Sequence, residues 1–194
     1  MKTISITTTI LLLGILLIRC SKKEIKSPIP FTGVMTHDMM VERGKYIVST
    51  AACDDCHTPK IMTENGPVMD MDRRLSGHRS ELKVAEIKDK TILDDYALCN
   101  PELTAWVGPW GTSFAANLTP DDTGIGSWSL EQFKRAIREG KFKGLEGSRQ
   151  LLPPMPWEVY KNFMDKDLEC IFHFLQSLPP INNVVPNPIP PAIM

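Results

Sequence analysis

The sequence has no block of like charges, no second C-x-x-C, no H-x-x-x-H pair and no internal repeat. Its 22 basic residues against 23 acidic ones leave a net charge of −1, with no arm that could neutralise a phosphate backbone, so a nucleic-acid partner is unsupported. A structural zinc site draws its ligands from two separated Cys or His pairs, and only one pair is present. Long apolar runs are also lacking. The longest, Ile4 to Ile18, would make a helix of about 22 Å, short of the ~30 Å hydrocarbon core, so a stable transmembrane helix is the weaker reading. Alternating strand patterns are scarce.

What that apolar run does carry is the form of a targeting segment. Lys2 gives a basic start, "ISITTTILLLGILLI" follows without a charge, and "RCSKKE" comes next. "LIRC" resembles a bacterial lipoprotein signal, which implies acylation of Cys20 and a lipid anchor. Arg19 stands where that pattern has a small residue, and the alternative is an uncleaved or ordinary signal anchor. Residues 1–20 are therefore read as the signal, and the polar, proline-bearing residues 21–37 as a tether. At the other end six prolines fall within the last sixteen residues, a composition shift that sets residues 181–194 apart as a tail. Between them, residues 38–180 are long enough, in a chain that is 42 % hydrophobic, for one domain with a real core.

Three helices are legible in that domain. "DMMVERGKYIVSTAA" places Met40, Gly44, Ile47, Val48 and Ala51 at helical spacing and ends at the cysteine pair. In "GSWSLEQFKRAIREG", Ser129 and Gln132 have capping-box spacing, Trp128 and Phe133 stand as a hydrophobic staple, and Gly140 is a stop. "DKDLECIFHFLQSL" aligns Leu168, Ile171, Phe172, Leu175 and Leu178, with Pro179 and Pro180 as terminators. Residues 58–126 hold turn signals such as "ENGP" and "GPWGT" and one weak helical piece, "SELKVAEIKDK"; a loop region this long is functional or packs on something other than its own chain.

The pair itself lies in "AACDDCHTP", where Cys53, Cys56 and His57 form C-x-x-C-H. A thioredoxin-like dithiol would open a helix in a βαβ unit, whereas this pair follows a helix with no strand before it. Covalent haem attachment accounts for the spacing. Two thiols one turn apart can each add to one vinyl group of a porphyrin, and the next residue then supplies an imidazole to the iron. Asp54 and Asp55 between the anchors read as solvated loop charges, the alternative being carboxylates at the haem edge.

A sixth ligand must come from elsewhere. Met155 in "LLPPMPW" is flanked by Pro153, Pro154 and Pro156, which stiffen the segment and reduce the entropy lost in holding a thioether in place. Met62, Met69 and Met71 are the alternatives, and Met155 as an ordinary loop methionine is the plain one. His37, His78 and His173 read as surface or satisfied core residues. Cys99 and Cys170 either pair or sit as small hydrophobes.

"RGKYIVSTAACDDCHTP", "NLTPDDTGIGSWSLEQFKRAIREG", "LLPPMPW" and "DKDLECIFHFLQSLPP", in this order, resemble a class I cytochrome c domain of the kind found in cytochrome subunits of bacterial periplasmic dehydrogenases. The resemblance implies an all-α cytochrome c fold around one covalent haem c, with a long irregular insertion, His57 and Met155 as axial ligands, and Gly44 of the first helix against Phe172 or Phe174 of the last. With both axial positions filled, it implies an electron carrier and not an enzyme. Such a carrier would lie on the exported, periplasmic side, membrane-anchored, between a redox donor and acceptor that are themselves membrane-bound. The rival readings are a haem enzyme or gas sensor with a labile sixth ligand, including one ligated by Cys99, and a docking subunit whose tail is a partner strip.

Overall fold

The computed structural model describes residues 33–191, and the fold is that of the unit Met35–Met194. The apolar run, Cys20 and the tether up to residue 32 lie outside the described residues. Helix α1 (His37–Thr50) starts at Thr36, whose side chain accepts the Met39 N–H at 3.3 Å, and it turns Gly44, Ile47 and Val48 inward. Ala52, in the left-handed region at φ 59°, breaks the chain direction, and the short helix α2 (Cys53–His57) follows at once.

Strands β1 (Lys60–Thr63) and β2 (Gly66–Met69) form an antiparallel hairpin that pairs Ile61 with Val68 and Lys60 with Met69. After helix α3 (Ile92–Asp95), strands β3 (Leu98–Cys99), β4 (Ala105–Gly108) and β5 (Gly111–Phe114) make a second antiparallel sheet in the order β3-β4-β5. Helices α4 (Leu130–Glu139), α5 (Trp157–Tyr160) and α6 (Asp165–Gln176) complete the chain.

These strands overturn the expectation of an all-α fold: the region between α2 and α4 is mixed, with two small sheets. The turn signals "ENGP" and "GPWGT" mark the two hairpins, and Gly66 (φ 104°) and Gly111 (φ 93°) take up the turn conformation. Among the described residues no strand exceeds four residues, too few for an alternation to stand out. The helical piece expected over "SELKVAEIKDK" is absent. That chain runs without regular structure, and Leu82, Val84 and Ile87 line a groove of about 430 Å³ against Leu98 and Val107, so packing overrides a weak local period.

The core joins Ile47 and Val48 of α1 to Leu168, Ile171, Phe174 and Leu175 of α6, with Phe133 of α4, Leu75 and Ile125 closing it. A Cβ on Gly44 would stand 2.0 Å from the Cys170 carbonyl oxygen and 2.7 Å from the Phe174 Cβ. Phe174 is thus the aromatic that Gly44 meets, while Phe172 packs on Phe133 with ring centroids 5.6 Å apart. Arg43 and the largely buried Asp167 add an ion pair across the same crossing at 2.5 Å. In α4, Ser129 accepts the Gln132 N–H at 3.1 Å, but the Gln132 side chain donates to the Lys143 carbonyl, so only half of the capping box forms.

The proline-rich tail lies on its own chain. Ile189 and Thr112 exchange backbone hydrogen bonds at 2.7 and 3.0 Å, and the buried Asn183 amide binds the Ser80 N–H and the Ser76 and His78 carbonyls. Among the described residues no helix is long and apolar enough to cross a membrane.

Gly44→Ala is expected to lower unfolding free energy by about 3 kcal/mol, the upper end of overpacking, read by urea denaturation. Asn183→Ala leaves three backbone groups unmet and should cost about 3 kcal/mol, with raised amide exchange at Ser80.

Candidate haem site

Helix α2 carries both thiols and the imidazole within one and a half turns. Cys53 and Cys56 are half-buried free thiols, and His57, next in the chain, is buried. Burial, aided by the Asp54 charge, pushes the Cys53 thiol up to about 12, and burial raises Cys56 as well. A dithiol that exchanged electrons by thiolate attack would need lowered values, so the environment opposes that chemistry. Burial also holds His57 below the ordinary histidine range despite its carbonyl partner, which keeps the imidazole neutral, the form a metal requires.

The partner is one the sequence did not reveal. His57 Nδ1 lies 2.7 Å from the Ala116 carbonyl oxygen, and Nε2 has no hydrogen-bond partner among the described residues. A carbonyl that accepts from one nitrogen fixes the tautomer and leaves the other lone pair free, the usual arrangement of a ligating histidine. The loop that brings Ala116 there is itself clamped. Gly77 donates to the His57 carbonyl at 2.8 Å, His78 to that of Ala115 at 2.9 Å, and a Cβ at Gly77 would strike Ala115 and Ala116.

Asp54 differs from the expectation of a solvated charge. It is buried, and it accepts from Arg74 Nη2 and Nε (2.7 and 2.9 Å) and from the Thr58 hydroxyl at 2.8 Å. Burial by itself would raise its carboxyl; the Arg74 and Thr58 hydrogen bonds and the guanidinium charge outweigh that and hold it below the ordinary range. Asp55 is exposed, as expected. Lys60, also unforeseen, folds back so that its ammonium donates to the carbonyls of Asp55 and, at 2.8 Å, Thr58.

Met155 is half-buried in the segment leading into α5 and makes no hydrogen bond to α2. Its segment is tied to β5 on one side and, through α5, to the end of α1 on the other. Ser113 donates to the Pro153 carbonyl at 2.6 Å, and the Tyr160 hydroxyl donates to the Ala51 carbonyl at 2.5 Å, two residues before Cys53. Met62, Met69 and Met71 are exposed on and just after the first hairpin. His78 has both ring nitrogens engaged, with Thr104 at 2.9 Å and Leu82 at 3.1 Å, so it has none to offer. His37 and His173 pack edge to face on each other, 5.2 Å between centroids. Cys99 is an exposed thiol on β3 and Cys170 a buried one on α6, and neither is paired with another cysteine among the described residues.

Two thiols a turn apart and an imidazole with one free nitrogen form a donor set that suits a covalently held haem. No family model matches the chain. It is 28 % identical over 172 residues to the fructose dehydrogenase cytochrome subunit of Gluconobacter japonicus, covering 88 % of this chain and 26 % of that one. Against a nicotinate dehydrogenase subunit of Pseudomonas putida the identity is 28 % over 76 % of this chain, and 9 % of the relative. A shorter match, 35 % identical over 38 % of this chain and 16 % of the relative, falls on the gluconate 2-dehydrogenase cytochrome c subunit of Pantoea cypripedii. The chain thus spans about a quarter or less of the length of each. Cytochrome c subunits of dehydrogenases recur among these relatives, which supports a cytochrome c domain here.

Arg74→Leu strands a buried carboxylate and is expected to cost about 3 kcal/mol at neutral pH. Because the folded Asp54 carboxyl is depressed, the stabilisation is present above its unfolded value of about 4 and is lost as pH falls through the folded one. Urea denaturation should therefore find the two proteins converging below about pH 4.

Proposed function

We propose that residues 38–180 are an electron-transfer domain that binds one haem c covalently, through Cys53 and Cys56, with His57 and Met155 as axial ligands. The observation that carries this reading is the His57 ring, buried on the C-x-x-C-H helix with Nδ1 on the Ala116 carbonyl and Nε2 free. A haem bound there supplies a reversible one-electron iron couple. The chain does the rest. Cys53 and Cys56 anchor the porphyrin edge as thioethers, the Ala116 carbonyl orients the imidazole, and the stiff Pro153–Pro156 segment carries the Met155 thioether. Engagement of both His78 nitrogens favours a methionine in the sixth position. With both axial positions taken by protein, no coordination site remains for a substrate, and the domain is a carrier and not an enzyme.

The relatives named as cytochrome subunits of dehydrogenases support a redox donor and acceptor as partners. The leader in residues 1–20 and the tether in residues 21–37 support export to the periplasmic side, with Cys20 as the lipid-anchoring residue and membrane-bound partners within reach. The tail is docked over its described residues, up to 191, which argues against its use as a free partner strip.

Haem that stays with the chain through acid–acetone extraction of the wild type, and is lost from Cys53→Ala/Cys56→Ala, is the expected result for the anchors. For the sixth ligand, the oxidised protein should have a weak near-infrared sulfur-to-iron band that Met155→Ala abolishes. The reduced wild type should not bind carbon monoxide at neutral pH, whereas Met155→Ala should. A band that survives in the variant, or ready carbon monoxide binding by the wild type, would refute Met155.

A further inference from the structure

Lys60 is the only buried lysine or arginine among the described residues. Among those residues it has no carboxylate within ion-pair distance: Asp54 is taken by Arg74, Glu102 by Arg79, and the Asp55 side chain is exposed. Its hydrogen bonds go only to backbone carbonyls, those of Asp55 and Thr58 with a longer one to Asp54 at 3.5 Å. The Asp55 and Thr58 carbonyls lie at the end of α2, where a helix leaves its acceptors unmet and where a side-chain donor can fix the last turn. The same ammonium therefore does two things. It braces the turn from which His57 projects, and it sets a positive charge that lacks an ion-pair partner among the described residues in a poorly solvated place beside Cys56 and His57.

A ferric centre carries one more positive charge than a ferrous one. A nearby buried cation destabilises the ferric form more, since the interaction is weakly screened there. Arg74 does not do this, because its charge is matched by Asp54 in the same bidentate pair.

We propose that Lys60 is a positioning residue for the haem-bearing helix whose buried, unpaired charge biases the bound haem toward its reduced state. The inference rests on the haem reading of the site. Its test is a redox titration of the loaded protein, followed by absorbance, for the wild type, Lys60→Met, Lys60→Gln and Lys60→Arg, with haem-to-protein ratio and spectrum recorded alongside. Lys60→Met and Lys60→Gln are expected to lower the ferrous-to-ferric ratio at a fixed applied potential at least about tenfold, a midpoint lower by about 59 mV for a one-electron couple. Lys60→Arg, which keeps the charge and a donor, should stay near the wild type in both midpoint and spectrum. Equal midpoints in all four proteins would overturn the proposal. If Lys60→Met fails to load haem, Lys60→Gln against Lys60→Arg decides: a lower midpoint in Gln supports the role and equal midpoints refute it. Absence of covalent haem from the wild type would instead defeat the haem reading itself, and this inference with it.

Discussion

The contact between the backbone of α1 and that of α6 is the constraint on which the rest depends. At Gly44 the two helices come so close that a single added carbon would stand 2.0 Å from the Cys170 carbonyl oxygen. That approach sets the crossing, brings Ile47 and Val48 onto Leu168, Ile171 and Phe174, and fixes where α1 ends. Because Ala52 turns the chain immediately afterwards, the position and heading of the Cys53–His57 helix follow from the crossing two turns upstream.

Four side-chain or backbone groups from outside that short helix, three of them distant in the chain, then hold it. Arg74 grips it through Asp54, Lys60 through its final carbonyls, Ala116 through His57, and Tyr160 through Ala51 just before it. A five-residue helix has too few internal hydrogen bonds to be stable alone. Its geometry is therefore a property of the surrounding loops, and those loops are in turn held by Leu75, Gly77 and the Asn183 side chain of the tail. The long segment between α2 and α4 is thus the frame of the site, with two small sheets giving it stiffness.

Much of the helical framework was legible because its periods are long enough to read. α1, α4 and α6 each show several apolar residues at helical spacing, and Ser129, Gly140 and the Pro179–Pro180 pair mark boundaries that the structure keeps within a residue or two. The strands were not legible, since none exceeds four residues, and the helical signal over residues 80–90 was outweighed by the apolar groove that those residues line. The reading of Asp54 failed for a related reason: nothing in "CDDCH" signals that an arginine twenty residues on will fold back onto it.

What the sequence determined by itself is local chemistry. The spacing of Cys53, Cys56 and His57 places two thiols and an imidazole on one turn of chain, and the prolines around Met155 stiffen a thioether segment, whatever surrounds them. Tertiary structure alone decided, among the described residues, which ring nitrogen of His57 is free, which carboxylate is paired, and which buried cation has no ion-pair partner. Those outcomes depend on burial and on hydrogen bonds between residues far apart in the chain, 59 positions for His57 and Ala116 and 20 for Asp54 and Arg74, and no short window of sequence contains both partners.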